Sequence, residues 1–376
     1  MRVLFTIHHH LDPNSGAPGV TWQLMQALRA AGHEAEIYSW DDLPKRLGPR
    51  AREALFPEFA AARISRARRE GVDVVDAATC DAWLWSLVRR GDAPALITRT
   101  HGLEHTFWDA RRRQARESGE QIPLLERVYQ GGVRVREAGV SLRHADGVLF
   151  LNEADRERGV GELGVRAERA HVVANGVPEQ FLGLPEPEPR GDEPLRLVQV
   201  GSWAARKGVR VLVEAVTPLL GTSVELTLVG TSVGIEEVIA EFSADARGHV
   251  RVVPRYEHAE LPALLRDQHA LVLPSYAEGF SLALVEGMAC GLAPVATEVG
   301  AAPDLLTDGE NGLLIPPGDA AALRSALERL AGDGSDLQDM RERARARAQD
   351  FSWSKIAADT VAVYERVLSA RSGGRL

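Results

Sequence analysis

Cysteine is nearly absent from this 376-residue chain: Cys80 and Cys290 are its only two, far apart and outside any paired motif. That argues against a disulfide framework and against a cysteine metal site, and it fits a reducing, cytoplasmic compartment. Long apolar runs are missing too. No stretch approaches the roughly 20 apolar residues that a membrane span needs, so any membrane contact must be peripheral. The opening Met-Arg-Val-Leu-Phe-Thr-Ile is too short for a signal peptide and reads as a buried first strand. A basic excess is lacking as well: the net charge is −9, which argues against a dedicated nucleic-acid partner. The charge is uneven, since residues 1–183 hold 25 basic and 25 acidic side chains and the remainder carries the whole deficit.

What is present is an ordinary globular composition, 45% hydrophobic and 26% charged, in a chain long enough for two cores. Val3 to Ile7 is a short apolar run, followed by a polar loop from His8 to Pro18. Val20, Leu24, Ala27 and Leu28 then fall at helical spacing before Gly32, and Glu34 to Tyr38 reads as the next strand. This β-loop-α-β unit predicts the start of a doubly wound sheet. Short strands recur at Asp73–Asp76, Ala95–Thr98, Gly147–Leu151 and from Val172. Leu184-Pro-Glu-Pro-Glu-Pro-Arg-Gly, with three prolines among charges, predicts a stiff linker. The alternation restarts after it, with strands at Leu195–Val200, Val224–Val229, Val250–Val253 and Ala270–Leu273, and a helix from Val209 to Leu220. Helical periodicity closes the chain over Trp353–Leu368. The expected domains are 1–183, a linker at 184–193, 194–352, and a terminal helix from 353 to 376.

The densest chemistry lies in Leu271-Val-Leu-Pro-Ser-Tyr-Ala-Glu-Gly-Phe-Ser-Leu-Ala-Leu-Val-Glu. A strand ends at Pro274, a loop carries Glu278 and Gly279, and a helix starts near Ser281, a good N-cap residue. Such a helix N-terminus offers free N–H groups and a positive dipole end to a phosphate. Glu278 and Glu286 cannot hold phosphate but can accept hydrogen bonds from ribose and hexose hydroxyls. The plainer alternative is an acid complementing the helix dipole plus an ordinary helix glutamate. Consecutive His8, His9 and His10 do not read as a metal site, because neighbours on an extended strand point to alternate sides. No Asp-x-Asp pair ends a strand to hold a metal–diphosphate, so neither metal nor cofactor is expected. The Lys45–Glu70 stretch mixes arginines with Leu55, Phe56, Phe59 and Ile64. It is either a solvated helical layer over the sheet or a basic amphipathic face for a membrane or an anionic acceptor. Tyr256 is either a base contact or a packing residue.

Glu278-Gly-Phe-Ser-Leu-Ala-Leu-Val-Glu286, with the Gly-Met-Ala-Cys-Gly-Leu-Ala-Pro-Val-Ala that follows, resembles the donor-site signature of the retaining GT-B glycosyltransferases of family 4, or group 1. Further matches run along nearly the whole chain: Ser15-Gly16, Gly32-His33-Glu34, Thr100-His101-Gly102, Asn175-Gly176-Val177, Asp308-Gly309-Glu310-Asn311-Gly312, Pro317-Gly318-Asp319 and Phe351-Ser352-Trp353. The resemblance implies two Rossmann-like, doubly wound α/β domains facing a central cleft. The first would hold the acceptor and the second a nucleotide-sugar donor, with the last helix crossing back onto the first domain. It implies Glu286 at the donor ribose, Glu278 at the transferred sugar, and amides from Phe280 through Ser281 to Leu282 at the distal phosphate, beside Gly279. Gly16 would permit close backbone approach to the diphosphate. His101 would lie beside the transferred sugar, unless it is a satisfied structural histidine. The family's Gly-Arg…Lys-Gly phosphate motif appears as Gly201-Ser202-Trp203-Ala204-Ala205-Arg206-Lys207-Gly208. Lys207 matches, the usual arginine is Ser202, and Arg206 stands as a candidate replacement. The implied reaction is metal-free, retaining transfer from a UDP-, GDP- or ADP-sugar by front-face substitution. Its rivals are a sugar-nucleotide epimerase, a silent nucleotide-sugar binder, and a phosphorylase, for which a pyridoxal-phosphate lysine motif is lacking.

Overall fold

The structure, a computed structural model, describes residues 1–14, 16–91, 93–332 and 334–373. Ser15, expected in the first glycine loop, lies outside the described residues. The chain divides into two compact units: residues 1–176 with the segment from Trp353 onward, and residues 177–352.

The first unit is built on a parallel sheet of β1 (Arg2–Thr6), β2 (Glu34–Tyr38), β3 (Val74–Ala78), β4 (Ala95–Arg99), β5 (Gly147–Phe150) and β6 (Ala170–Val172). Its order is β2-β1-β3-β4-β5-β6. Every residue of β3, β4 and β5 is buried, as expected for parallel strands covered on both faces. Helix Gly16–Ala30 returns over the sheet through Val20, Leu24 and Leu28, the spacing read from the sequence. Helix Trp353–Gly373 also belongs to this unit. It is fastened by fully buried Tyr364, whose hydroxyl donates to Asp76 on β3, and Asp76 in turn pairs with Arg99 on β4 at 2.7 Å. Such a buried pair is tolerable because the remaining acceptor capacity of the carboxylate is filled.

The second unit carries β7 (Leu195–Val200), β8 (Val224–Val229), β9 (Val250–Val253), β10 (Ala270–Leu273), β11 (Ala293–Thr297) and β12 (Leu313–Ile315). All pair in parallel, in the order β12-β11-β10-β7-β8-β9. This is the 3-2-1-4-5-6 order of a Rossmann sheet, whose strand order reverses between β7 and β10. The core is almost wholly aliphatic, with Leu197, Leu212, Leu226 and Leu323 fully buried.

The boundary falls earlier than the sequence suggested. Val177–Gly183 groups with the second unit because Val177 N–H donates to Phe351 O at 2.7 Å and Phe181 packs tilted against the His258 ring. The proline-rich segment is not a free spacer. Arg341 donates to Glu188 O, Gln338 to Pro187 O and Arg345 to Leu184 O, all inside the second unit. Within Lys45–Glu70, helix Pro49–Ala67 turns Phe56, Ala60, Ile64 and Ala67 into its own core, so its apolar side is the sheet cover. The unit's exposed apolar side chains concentrate elsewhere, at Leu124, Leu125, Val128 and Val133. Among the described residues no helix is long and apolar enough to cross a membrane.

Candidate active site

In open parallel sheets, ligands collect outside the carboxyl ends of the strands, where the strand order reverses. In the second unit that place lies beyond β7 and β10. The chain leaves β7 through Gly201 and Ser202, makes a single turn over Ala205–Lys207 and enters helix Val209–Val216. It leaves β10 through Pro274–Gly279 and enters helix Leu282–Ala289. The two loops are laced together, with Tyr276 N–H donating to Arg206 O at 2.8 Å. Gly208 makes this approach possible. Its φ is +70° and a Cβ there would sit 1.8 Å from Pro274 O, so only glycine fits.

The lacing brings Lys207 and Glu278 into contact. Lys207 Nζ donates to Glu278 Oε1 at 2.6 Å, with both side chains mostly buried. Ser275 Oγ donates to the same oxygen at 2.7 Å; Ser275 is itself buried, and its carbonyl accepts from Thr297 Oγ1. Arg206 is 42% exposed and converges on the same carboxylate, 3.6 Å away, while donating to Ala277 O at 2.8 Å. It is thus turned toward the loop that follows β10. Among the described residues no hydrogen bond reaches Glu278 Oε2. One carboxylate oxygen is held and the other is not. Gly300 (φ +57°) braces this loop from behind, where a Cβ would meet Glu278 O at 2.5 Å.

Ser281 occupies the N-cap position of helix Leu282–Ala289, but its side chain makes no capping bond. The hydroxyl cap anticipated from its residue type is absent; Leu284 N–H instead bonds Ser281 O at 3.1 Å. Phe280 anchors the turn, buried against Phe351. Glu286, one turn into the helix, is 4% exposed, and its Oε1 lies 2.7 Å from His258 Nε2. The Glu286 bond lifts His258 above its ordinary pKa, against the opposing effect of burial. Tyr256 is pushed up to about 12 by burial and then by Glu286; its ring lies over Gly230, where a Cβ would be 2.8 Å from Cε1.

The equivalent place in the first unit lies beyond β1 and β3. His8 Nδ1 is 2.6 Å from Asp81 Oδ1, and Thr6 Oγ1 donates to Asp81 Oδ2 at 2.9 Å. Arg134 donates to His8 Nε2 at 3.0 Å. A guanidinium only donates, so Nε2 accepts and the His8 proton sits on Nδ1. The rings of His8 and His9 lie 4.7 Å apart, but His10 turns away to Asp41, and among the described residues no three His, Cys, Asp or Glu side chains gather as a metal site. Cys80 is buried with φ +74°, a strained conformation of the kind that clusters at functional edges; its Sγ lies 3.6 Å from both Glu104 and Arg134 O. His101, in the turn after β4, makes no hydrogen bond among the described residues. Burial first, then Arg99, His8 and His9, push it down to about 3. Gly16 opens its helix exposed, with nothing within 4 Å of a Cβ, so no protein neighbour requires a glycine there. Gly16 and His101 belong to the first unit and the other candidate donor residues to the second.

Glu278 and Glu286 were singled out by their place around a strand end and a helix start, and Lys207 by the family resemblance. Ser275 and His258 were not: a serine inside a loop and a histidine in a turn carry no periodic signal.

Known proteins are similar to this chain along its whole length. Residues 14–181 match glycosyltransferase family 4, and residues 194–333 match the group 1 glycosyl transferases. An MMP alpha-(1->4)-mannosyltransferase of Mycolicibacterium hassiacum is 29% identical over 98% of this chain and 99% of its own. The sucrose-phosphate synthase of Thermosynechococcus elongatus superposes with a TM-score of 0.79 at 22% identity, over 98% of this chain and 100% of that one. Anabaena HepE, solved with UDP and glucose, superposes with a TM-score of 0.69 at 19% identity, over 97% and 99%.

Proposed function

The chain belongs to the group 1, family 4 glycosyltransferases with the GT-B fold, and from that premise we propose that it transfers a hexosyl group from a nucleoside-diphosphate sugar to a hydroxyl acceptor, with retention and without a metal. The observation that carries this reading is the edge beyond β7 and β10. There Lys207, the half-occupied Glu278 and the uncapped helix start at Ser281 lie together, with Glu286 one turn further on. The parts match the donor's parts. The helix N-terminus and Lys207 suit a diphosphate, and the open carboxylate oxygens suit sugar and ribose hydroxyls. The charge that grows on the leaving diphosphate would draw Lys207 away from Glu278, adding a cation where negative charge develops. Glu278, freed of one donor, then takes a hydroxyl of the transferred sugar. In the first unit His101, held neutral by burial, has the ring nitrogens to hydrogen-bond a sugar hydroxyl. HepE's occupancy by UDP and glucose supports a nucleotide-sugar donor.

Metal independence is supported by the divergence of His8 and His10 onto separate aspartates and by the lack of an Asp-x-Asp pair. A cytoplasmic location is supported by two buried, free thiols. Peripheral membrane contact through the first unit is supported by exposed Leu124, Leu125, Val128 and Val133, with Arg127 and Arg136 alongside. The test incubates the protein with UDP-, GDP- and ADP-sugars and acceptor extracts, free or in anionic vesicles, with and without EDTA. Acceptor-dependent release of nucleoside diphosphate that survives EDTA is the expected result. Release without acceptor, or no release from any donor, would overturn the transferase reading, and loss in EDTA restored by manganese would overturn metal independence.

A further inference from the structure

A buried carboxylate needs a hydrogen-bond donor to stay ionised and oriented. For Glu286 that donor is His258: Nε2 lies 2.7 Å from Oε1, and no other side chain bonds this carboxylate among the described residues. His258 is itself held on several sides. Phe181 packs against its ring at 5.4 Å, and Gln180 Nε2 approaches its carbonyl at 3.5 Å. A reciprocal cap between Glu257 and Glu260 fixes its turn, with Glu257 N–H donating to Glu260 Oε2 at 3.0 Å. An imidazole clamped in this way selects one carboxylate rotamer. It occupies Oε1 and leaves Oε2 without a partner among the described residues. A carboxylate that is free to swing would lose this bias and would have to be ordered by the ligand, at a cost in affinity.

We propose that His258 is a positioning residue for donor recognition: by holding Glu286 Oε1 it presents Oε2 to the vicinal hydroxyls of the donor's ribose. The proposal rests on the reading of Glu286 as the ribose-binding carboxylate. It differs from mere neutralisation of a buried acid, because positioning makes the cost of losing His258 depend on the ribose hydroxyls.

The test is a calorimetric cycle on the full chain. UDP, GDP and ADP identify the nucleotide that binds, and its 2′,3′-dideoxy counterpart removes the hydroxyls. Wild type should bind the dideoxy form about 10- to 150-fold more weakly, the range of a charge-assisted hydrogen bond. His258→Ala should weaken the ribonucleotide about tenfold or more, yet leave the dideoxy form within about twofold of wild type. His258→Gln, which keeps a side-chain N–H, should recover part of the loss, and it carries the test if His258→Ala does not fold. An equal penalty on both nucleotides, or none on either, overturns the positioning role while leaving the ribose reading intact. Equal affinity of wild type for both nucleotides overturns the ribose reading itself, and this proposal with it.

Discussion

At the reversal of the first sheet, beyond β1 and β3, the facing side chains are His8 and Asp81; at the reversal of the second, beyond β7 and β10, they are Lys207 and Glu278. Both pairs meet at 2.6 Å, yet they differ in what their remaining polar atoms are bonded to. Asp81 spends one oxygen on His8 and the other on Thr6, and His8 spends its second nitrogen on Arg134. That network is closed. Glu278 spends only Oε1, and its cation sits on a flexible stem beside a helix start whose N-cap side chain makes no capping bond. That network leaves Glu278 Oε2 without a hydrogen bond among the described residues. The shared scaffold supplies an acid at a strand end, and the neighbours decide whether it is structural or available.

The sharpest break of this comparison is at Lys207. Lys207→Ala should cost about 10- to 150-fold in donor kcat/KM, the range of a charge-assisted hydrogen bond. Glu278→Gln should do the opposite to binding: with its counter-charge gone, Lys207 is free for the diphosphate, so calorimetry should show tighter nucleoside diphosphate and kinetics slower turnover. Unchanged affinity in Glu278→Gln would mean that the ion pair does not compete with the ligand. Arg206→Ala, removing an exposed pair partner, should cost no more than about fivefold.

The first unit should respond next. His101→Ala removes a side chain with no protein partner among the described residues, so the melting temperature should hold while kcat falls about 5- to 150-fold, the cost of an unmade hydrogen bond. A fall in melting temperature with kcat preserved would assign His101 to the fold instead.

The smallest effect is on stability against pH, and its sign differs between the units. Burial pushes His101 down to about 3 in the fold, below the ordinary histidine value of 6.5. As pH falls through 6.5 the unfolded chain binds a proton that the fold refuses, so this histidine costs stability on the acid side. His258 is raised by its bond to Glu286. Its contribution is fully present below 6.5 and is lost as pH rises through the folded value. Melting curves from about pH 8 to about pH 5 should show His101→Gln gaining on wild type and His258→Gln losing to it. Parallel slopes for the two variants would show that neither coupling acts.

Most strands were legible because parallel strands buried on both faces read as short apolar runs between turn residues, as Val74–Val75 and Leu271–Leu273 do. β11 and β12 were hidden. Ala293–Thr297 contains Pro294, which argues against a central strand, and Leu313–Ile315 is only three residues long. The structure accommodates Pro294 because β12 joins the ladder only from Val295 onward.

The sequence by itself determined the α/β alternation and the two cores, since apolar period is a local property; it offered Glu278 and Glu286 as candidates at a strand end and a helix start, and Lys207 and His101 through the family resemblance. Only the tertiary structure decided which of those groups are engaged. Lys207 and Glu278 are 71 residues apart and meet because β7 pairs with β10 and Gly208 lets their loops touch. His258 reaches Glu286 across 28 residues, and the proline-rich segment lies down on the second unit because Arg341 and Arg345 reach its carbonyls. Spacing along a chain fixes the periodicity of its elements but not which strand ends become neighbours. That is set by the crossover connections, and with it whether a carboxylate is closed by its neighbours or left open to a ligand.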